Sequence, residues 1–401
     1  MEVNVRKNRV ALIVAFGIFG SSFLSLTFAA DPLPVPATPT FSTIAFTQLA
    51  IEGLTADQNG NLYTTGRAAA GTPCPVYKIV PQGSSLVTPV VVGNVPNNFA
   101  SPCNPSGAAF DKTGFLYIAD ANPDPVFGGV GGVIWKLSPN EAAPPTATQF
   151  ATGVPGTNGL AFDKNGNLWT GDGTTGQGRV WKITPGGIVT EMFRIQPMRN
   201  GSDLGGDLGG RGVGRENRTV PVENAQNLVA NGLAFEPTRG RLLVADTARG
   251  AIWRVEFEKD GSVESRKGCD TTFTPNTLCL ENIFVSHPLL EGVDGIALDV
   301  EGNIWAAANE RNAIVFVSAD GRVVEVFRND PDGTTLLRNT GPMEFPTSPV
   351  VFGNVLYTSH SNGNRRDNSP PGPGEIPAQG AGKISRLDQN IQIPGLPLPV
   401  N

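Results

Sequence analysis

The sequence predicts an all-β fold, a six-bladed β-propeller of four-stranded blades. The first observation is a segment that occurs six times, in which a polar residue opens an apolar strand, a turn follows, and a second strand comes next. The second is the spacing of these segments, 52 to 73 residues, which is close to the length of a propeller blade. The third is composition, since 49 glycines and 34 prolines among 401 residues suit many short strands joined by tight turns.

The third repeat shows the four strands of a blade most clearly. They read GLAFD, NLWTGD, RVWKITP and GIVTEMF. Third strands with alternating side chains recur in the other repeats, at 76–80, 133–139, 251–257, 313–319 and 383–387. The last repeat lacks a clear fourth strand of its own, and a propeller must close its ring. We therefore expect the spare strand at 42–49 to complete blade six, with the C-terminal segment QIPGLPLPVN as the alternative.

The chain divides into three parts: a signal peptide at 1–29, a proline-rich leader at 30–41, and the propeller at 42–401. The first part has a basic start and an apolar run that glycine and serine interrupt, which favours a cleaved signal over a membrane anchor. Two insertions interrupt the propeller, at 196–227 and 361–382. The first is rich in glycine, arginine and aspartate, and is expected to be either a surface loop or a lid over the mouth of the ring.

Charge and cysteine content limit the partners and the compartment. A net charge of −6 without a basic cluster argues against nucleic acid and anionic lipid as partners. We expect a monomer that has no membrane contact after signal cleavage. Four cysteines fit an exported protein, periplasmic or secreted, because an oxidising compartment permits disulfides. Cys269 and Cys279 bracket a short loop and are expected to pair, which leaves Cys74 with Cys103.

The residue that opens each repeat is where we expect the chemistry. The first strand of a propeller blade lines the central channel, so these residues should converge near the axis on one face. All of them carry side-chain oxygens, the ligands that hard divalent cations take. The six lead residues are Glu52, Ser106, Asn158, Asn231, Asp294 and Ser348. A single polar residue there could merely satisfy a turn, but six equivalent positions favour a site.

Four motifs resemble those of the senescence marker protein (regucalcin) and gluconolactonase family of lactonases, with paraoxonases as more distant relatives. The motifs are GLTADQNGNLY, TNGLAFDKNGNLW, ANGLAFEPTRGRLLVADT and VDGIALDVEGNIWAAAN. The resemblance runs from about residue 45 to the end of the chain and implies a six-bladed propeller with one divalent metal in the axial channel. Calcium is favoured, and zinc, magnesium and manganese stay open.

The resemblance also assigns roles by position. It implies Glu52, Asn231 and Asp294 as metal ligands, with Asn158 as a further ligand or substrate contact and Asp294 as the catalytic base. The sequence departs from the family at Gly156, where sugar-lactone members tend to carry a substrate-binding arginine. Specificity for sugar acids is therefore not expected to carry over unchanged.

A mechanism can be argued from the residues themselves. A metal on a lactone carbonyl stabilises the tetrahedral oxyanion, while Asp294 or Glu52 removes a proton from water. No GxSxG elbow supports a serine nucleophile. The residues expected to contact substrate are Asn158, Ser106, Ser348 and His360. His287 is expected on the same face. Four residues end or follow second strands and are expected mostly to fix turns: Asp120, Asp172, Asp246 and Asn309. Three tryptophans of the third strands are expected to pack between blades: Trp135, Trp181 and Trp253.

The sequence thus predicts an exported, metal-dependent hydrolase of lactones, gluconolactonase-like, or of related esters. Two other classes stay open. One is a non-catalytic propeller that binds or scaffolds a partner. The other is a lyase or a strictosidine-synthase-like enzyme on the same fold, which would not need the set of Glu, Asn and Asp ligands.

Overall fold

Six antiparallel sheets, one for each predicted blade, make up the fold. The structure is a computed structural model, and it describes residues 32–97, 102–121, 131–141, 143–175, 177–195, 229–264, 276–334, 336–338, 340–361 and 382–398. All statements below concern the unit that begins at Pro34. The prediction of an all-β six-bladed propeller is confirmed.

The strands of the described residues follow one another in blade order. Blade one contains β2 (Thr55–Ala56), β3 (Leu62–Thr65), β4 (Cys74–Ile79) and β5 (Val90–Val95). Blade two contains β6 (Pro105–Phe110), β7 (Leu116–Asp120), β8 (Val133–Leu137) and β9 (Thr148–Thr152). Blade three contains β10 (Thr157–Phe162), β11 (Leu168–Asp172), β12 (Arg179–Ile183) and β13 (Val189–Ile195).

The second half of the ring repeats this order with one extra strand. Blade four contains β14 (Ala230–Glu236), β15 (Arg241–Asp246), β16 (Ala251–Val255) and β18 (Ile283–Ser286). The short β17 (Thr277–Leu278) pairs in parallel with β13 and adds a fifth strand to blade three. Blade five contains β19 (Val293–Leu298), β20 (Ile304–Ala308), β21 (Ala313–Val317) and β22 (Val323–Arg328). Blade six contains β23 (Pro346–Phe352), β24 (Val355–His360), β25 (Gly382–Leu387) and, as its outer strand, β1 (Phe41–Thr47).

The N-terminal strand closes the ring, as predicted. β1 runs antiparallel to β25, with Phe41 opposite Leu387. The C-terminal segment, the alternative, lies elsewhere: the Val300 amide donates to Pro394 over 2.9 Å, and Leu396 and Leu398 line an apolar cavity of about 130 Å³ among the first strands. The N-terminal strand therefore closes the ring, while the C-terminal segment covers the inner strands.

A repeated aspartate shapes the turn between first and second strands. In blade three, Asp163 accepts hydrogen bonds from the backbone amides of Asn165 and Asn167, both over 2.9 Å. Its other oxygen accepts from Trp169 over 3.1 Å. Asp57 and Asp111 bond in the same way, with Tyr63 and Tyr117 in place of the tryptophan. Asp299 accepts from the turn amides too, but its second oxygen accepts from the Asn303 side chain. Each one ties the turn to its own sheet, which keeps the strand pair in register.

The tryptophans of the third strands pack between blades, as predicted. Trp135 shares a hydrophobic cluster with Tyr63 and Val76 of blade one, and Trp253 shares one with Phe193 of blade three. Trp135 and Trp253 also donate to Asp120 and Asp246, over 3.2 and 3.0 Å. These aspartates fix the ends of second strands.

Some predictions fall outside the described residues. They are the signal peptide at 1–29, the insertion at 196–227, all but the ends of the insertion at 361–382, and Cys269. The expected Cys74–Cys103 disulfide is confirmed. Cys279 is also disulfide-bonded, and its pairing with Cys269 stays a prediction. In the part of the chain that the structure describes, no helix has the length and apolar character needed to span a bilayer.

Candidate active site

Each first strand leaves the hydrogen-bond ladder at the residue that opens its repeat. In blades two to six the pairing register shifts across this residue: between Pro105 and Ala108, Thr157 and Leu160, Ala230 and Leu233, Val293 and Ile296, and Pro346 and Pro349. In blade one, Glu52 lies in the equivalent gap, between the Ile51–Gly66 bridge and the start of β2. A bulge re-aims side chains away from the regular alternation of a strand. Five lead residues therefore share one local geometry. In blade six the equivalent position belongs to Thr347, and Ser348, the predicted lead residue, stands where the other blades have glycine.

Five glycines allow the lead residues to come close together. They follow the lead residues directly and form what we call the glycine ring: Gly53, Gly107, Gly159, Gly232 and Gly295. A Cβ on any of them would lie within 3.0 Å of a backbone carbonyl oxygen on the next blade's first strand. In four of the five cases that oxygen belongs to the next lead residue. Only glycine permits this approach, so the motif of a polar residue followed by glycine sets the width of the axis.

Three lead residues have a partner from the same position of their own blade, the residue that follows the last pair between the first two strands. That pair ends at Gly66 in blade one, Asp246 in blade four and Ala308 in blade five. Asn309 donates to the Asp294 carboxylate over 3.0 Å. The Asn231 amide donates to Thr247 over 2.9 Å. Glu52 forms an ion pair with Arg67.

The same position in blade three is Gly173, where a Cβ would meet the amide of Asn158 at 2.6 Å. Asn158 is buried, with 5% of its surface exposed. From the sequence alone, Asn309 is expected mostly to fix a turn, and no pattern points to Arg67 or Thr247. Their equivalence becomes visible once the segments TTG, VAD and AAA, which precede them, are aligned by their last residues.

Asp294 is a buried carboxyl group, 5% exposed, at the centre of these contacts. Burial raises its pKa to about 7, while the hydrogen bond from Asn309, the charge of Arg67 and the Asn231 amide each act to lower it. A carboxylate that titrates near neutral pH can accept a proton from water. The geometry therefore suits Asp294 to the role of a general base.

Asn231 presents an oxygen without a partner. Its amide nitrogen is held by Thr247, whose hydroxyl in turn donates to the Val293 carbonyl over 2.6 Å. Its Oδ1 is buried and has no hydrogen-bond partner. An oriented acceptor with no protein donor is suited to bind a water molecule or a cation.

Glu52 and Arg67 bring opposite charges to the same end of the channel. The Thr347 hydroxyl of blade six donates to the Glu52 carbonyl over 2.8 Å and fixes the backbone there. The charge of Arg67 acts on Asp294 and Asp120, and its guanidinium contacts Glu52. The guanidinium thus lies among carboxylates that come from blades one, two and five.

The other predicted contacts have partners of their own. The Ser106 hydroxyl donates to the Thr157 carbonyl over 3.1 Å, and the backbone amide of Ser348 donates to the Ser359 hydroxyl over 3.2 Å. His287 caps a short 3-10 turn by accepting from the Leu289 amide over 3.1 Å. These three positions show structural contacts.

His360 is fully buried at the end of β24. Its Nδ1 accepts from the Glu344 amide over 3.2 Å, and its Nε2 has no hydrogen-bond partner. Burial and then the charge of Lys383 lower its pKa well below the usual value. His360 is therefore neutral at physiological pH, beside the buried ion pair of Lys383 and Glu344.

The backbone conformation and the close packing at Gly156 explain why this position does not carry an arginine. Its φ is +72°, and a Cβ there would come within 3.0 Å of the side chains of Asp172 and Thr174. Asp172 is itself bonded to Thr175 and Arg179, over 2.9 Å in each case. A side chain at residue 156 would collide with this turn, so position 156 excludes the arginine of the sugar-lactone enzymes.

The donor set fits a divalent cation that binds through oxygen. The orphaned Asn231 Oδ1 and the buried Asp294 carboxylate are the two strongest indications. Among the described residues, no group of three or more His, Cys, Asp or Glu side chains is placed to hold a metal. Amide oxygens would therefore have to contribute, as hard cations allow.

Fold and site together define a six-bladed propeller with an axial cluster of oxygen donors. Residues 213–358 match the family described as the SMP-30/Gluconolactonase/LRE-like region. This match spans 146 of the 401 residues and confirms the resemblance found in the motifs.

A curated relative, the 6-deoxy-6-sulfogluconolactonase of Pseudomonas putida, is 24% identical over 177 residues, 43% of this chain and 50% of that protein. The chain therefore matches about half the length of this relative. Among solved structures, a luciferin-regenerating enzyme has a TM-score of 0.53 at 15% identity, covering 90% of this chain and 99% of its own. Regucalcin of Agrobacterium tumefaciens, a calcium-binding protein, has a TM-score of 0.50 at 17% identity, covering 90% of this chain and 98% of its own. At these identities the structures show the fold alone.

Proposed function

We propose that this protein is an exported, metal-dependent hydrolase that opens lactones or related esters. The observation that carries the proposal is Asp294, a buried carboxyl group near the axis with a pKa of about 7. An unpaired amide oxygen lies beside it on Asn231. A buried carboxyl group with a raised pKa among oriented oxygen donors is typical of a site that moves protons.

The metal would be held by Glu52, Asn231 and Asp294, with Asn158 as a further ligand or a substrate contact. A divalent cation in that position supplies Lewis-acid polarisation of the lactone carbonyl and stabilises negative charge on its oxygen. Calcium is favoured because every donor is an oxygen and because the regucalcin with the same fold binds calcium.

The chain's own residues would do the rest. Asp294 would take a proton from the attacking water at its carboxylate, and Asn309 would hold that carboxylate in place through its hydrogen bond. The buried surroundings keep bulk water from the carboxylate and raise its basicity. The water oxygen would bond to the carbonyl carbon, and the ring C–O bond would then break, which relieves the strain of the lactone. Asp294 would return its proton to the leaving alkoxide oxygen.

The substrate class proposed is a lactone of modest size. The relative from Pseudomonas putida is named for a sulfonated sugar lactone, and sugar lactones are candidates for this chain. Gly156 leaves the usual arginine out, so recognition of an anionic or polyhydroxylated substrate would need another residue. Small lactones without charge are therefore included in the proposal.

Export is proposed from the N-terminal signal pattern and from the disulfide between Cys74 and Cys103. Disulfides persist in oxidising compartments and are rare in the cytosol. Cell fractionation with N-terminal sequencing of the mature protein tests this part. A cytosolic protein that retains residues 1–29 would contradict it.

A direct experiment tests the enzymatic proposal. The purified protein is stripped of metal, reloaded with calcium, zinc, magnesium or manganese, and assayed on gluconolactone, an uncharged small lactone and an aryl ester. We expect hydrolysis of at least one lactone with at least one metal, and none after chelation. Absence of hydrolysis in all combinations, in a protein that binds metal, would favour a binding or scaffold role instead.

A further inference from the structure

We propose that Arg67 is a tethered counter-ion that a divalent cation must displace from Glu52, so that residue 67 sets the affinity of the site for metal. This inference rests on the proposed metal site. It adds a competitor that belongs to the chain itself.

The position of the guanidinium carries the first step. Arg67 follows β3, and its backbone amide donates to the Ala50 carbonyl over 2.8 Å. Its side chain contacts the Glu52 carboxylate, and its charge acts on Asp294 of blade five. Glu52 and Asp294 are the two acidic ligands proposed for the metal. A metal ion that binds Glu52 and Asp294 therefore competes with the Arg67 guanidinium, whose positive charge already acts on both carboxylates.

Electrostatics make the two cations exclusive. Two positive groups a few ångströms apart repel strongly in a site shielded from water, where the effective dielectric constant is low. Binding of a metal would release Glu52 from Arg67 and drive the guanidinium away. The metal-free site, in turn, needs Arg67, because two carboxylates facing one axis destabilise each other.

Comparison of the blades shows that the charge is particular to residue 67. Thr247 and Asn309 occupy the equivalent position in blades four and five, and each holds its lead residue through a neutral hydrogen bond. The propeller therefore accepts neutral residues at this position. Only in blade one does the partner also neutralise the lead residue.

The side chain of Arg67 is only partly buried. It is 31% exposed, whereas that of Arg249, which is bonded to Asp246 and lies over Trp253, is 2% exposed. The Nε of Arg67 is buried without a hydrogen-bond partner, so the guanidinium is incompletely satisfied where it lies. The backbone just after it is braced, because the Ala68 amide donates to Cys74 of the disulfide over 3.2 Å. Displacement thus concerns the side chain and leaves the loop in place.

The test is calorimetric titration of the metal-free mature protein with Ca²⁺, repeated with Zn²⁺, Mg²⁺ and Mn²⁺. The variants are Arg67→Met, which keeps the length and removes the charge, and Arg67→Lys, which keeps the charge. Arg67→Gln serves as a second neutral variant in case Arg67→Met does not fold. Arg179→Met removes another arginine paired with a carboxylate, that of Asp172, and is the matched control.

We expect the neutral variants to bind one metal ion with a Kd at least tenfold lower than that of the wild type. Arg67→Lys should stay within threefold of the wild type, and so should Arg179→Met. The melting temperature supplies a second readout: the metal-free neutral variants should melt below the wild type and gain more from added metal.

Two results would overturn the inference, and they are distinguishable. If the wild type binds one metal ion and the neutral variants bind it equally or more weakly, Arg67 is no competitor, while the proposed metal site stands. If neither the wild type nor the folded neutral variants bind any of the four cations, the inference and the metal site fail together.

Discussion

The α-carbon of Gly232 packs against the backbone carbonyl of Asp294, and this contact fixes how near blade four comes to blade five. A methyl group at residue 232 would lie within 3.0 Å of that carbonyl and of Gly295. The bulge that presents Asp294 would have to shift. Four other glycines make the same kind of contact around the axis.

Replacement of Gly232 by Ala should therefore reduce both stability and activity. We expect the free energy of unfolding to fall by about 1 to 3 kcal/mol, as for other overpacked sites, and kcat/KM for a lactone to fall with it. Urea denaturation and steady-state kinetics measure the two effects. Gly333→Ala is the control, because nothing lies within 4 Å of a Cβ there. A Gly232→Ala protein indistinguishable from the control would show that the strands do not need this approach.

Asp294→Ala should remove both the metal and the hydrolysis. The variant loses a proposed ligand and the group that would accept the proton, so turnover should fall by at least about 10²-fold. Elemental analysis and lactone hydrolysis are the measurements. Asp320→Asn, at an exposed turn of the same blade, should change neither. Full metal occupancy in Asp294→Ala would disprove the ligand assignment.

The Cys74–Cys103 disulfide should contribute about 3 to 4 kcal/mol to stability. It closes a separation of 29 residues, and the chain-entropy model gives that magnitude for such a loop. The double variant Cys74→Ser/Cys103→Ser should unfold at correspondingly lower urea concentration. Peptide mapping of the double variant without reductant tests the second predicted disulfide, and we expect a peptide that joins Cys269 to Cys279. A double variant as stable as the wild type would mean that the reduced loop is already ordered by its other bonds.

His360 should make the protein less stable in mild acid. The folded state keeps this histidine neutral because burial and Lys383 lower its pKa, while the unfolded chain protonates it below about pH 6.5. The unfolded state then binds more protons, so the free energy of unfolding falls as pH falls, by up to about 1.4 kcal/mol per pH unit.

The measurement compares wild type with His360→Asn from pH 7 to pH 5. Other groups titrate in both proteins alike, so the difference between the two isolates this residue. We expect the stability advantage of the wild type over the variant to shrink as the pH is lowered. A difference independent of pH would mean that His360 is protonated equally in the folded and unfolded states.

The architecture could be predicted from the sequence because its signals are local and repeated. Strand alternation, turn residues such as those around Asp163 and the recurring lead residue all lie within a few positions of one another. The closing strand could be predicted because the last repeat was one strand short. These features do not depend on knowing which residues face each other across a sheet.

The partners of the lead residues could not be found in this way. Arg67 lies 15 residues after Glu52, and nothing in the segment YTTGRAAAG separates it from an ordinary loop arginine. Only the strand register, with its bulge at the lead residue, brings the two together. Gly156 gave a similar difficulty. The sequence showed only that an arginine is absent there, while the structure shows a tight turn with φ of +72° that a side chain would not fit.

Because the lead residues sit in bulges, none of their side chains is tied to a ladder position that the sheet needs. The propeller thus separates the part of the sequence that determines folding from the part that determines chemistry. Exchanging Asn158 for another polar residue would alter the donor set on the axis and leave the blades unchanged. A library that varies the five lead codons followed by glycine, and preserves those glycines, should consist mostly of folded proteins with new combinations of ligands. For laboratory evolution of new activities, this chain offers five adjustable positions on an otherwise fixed scaffold.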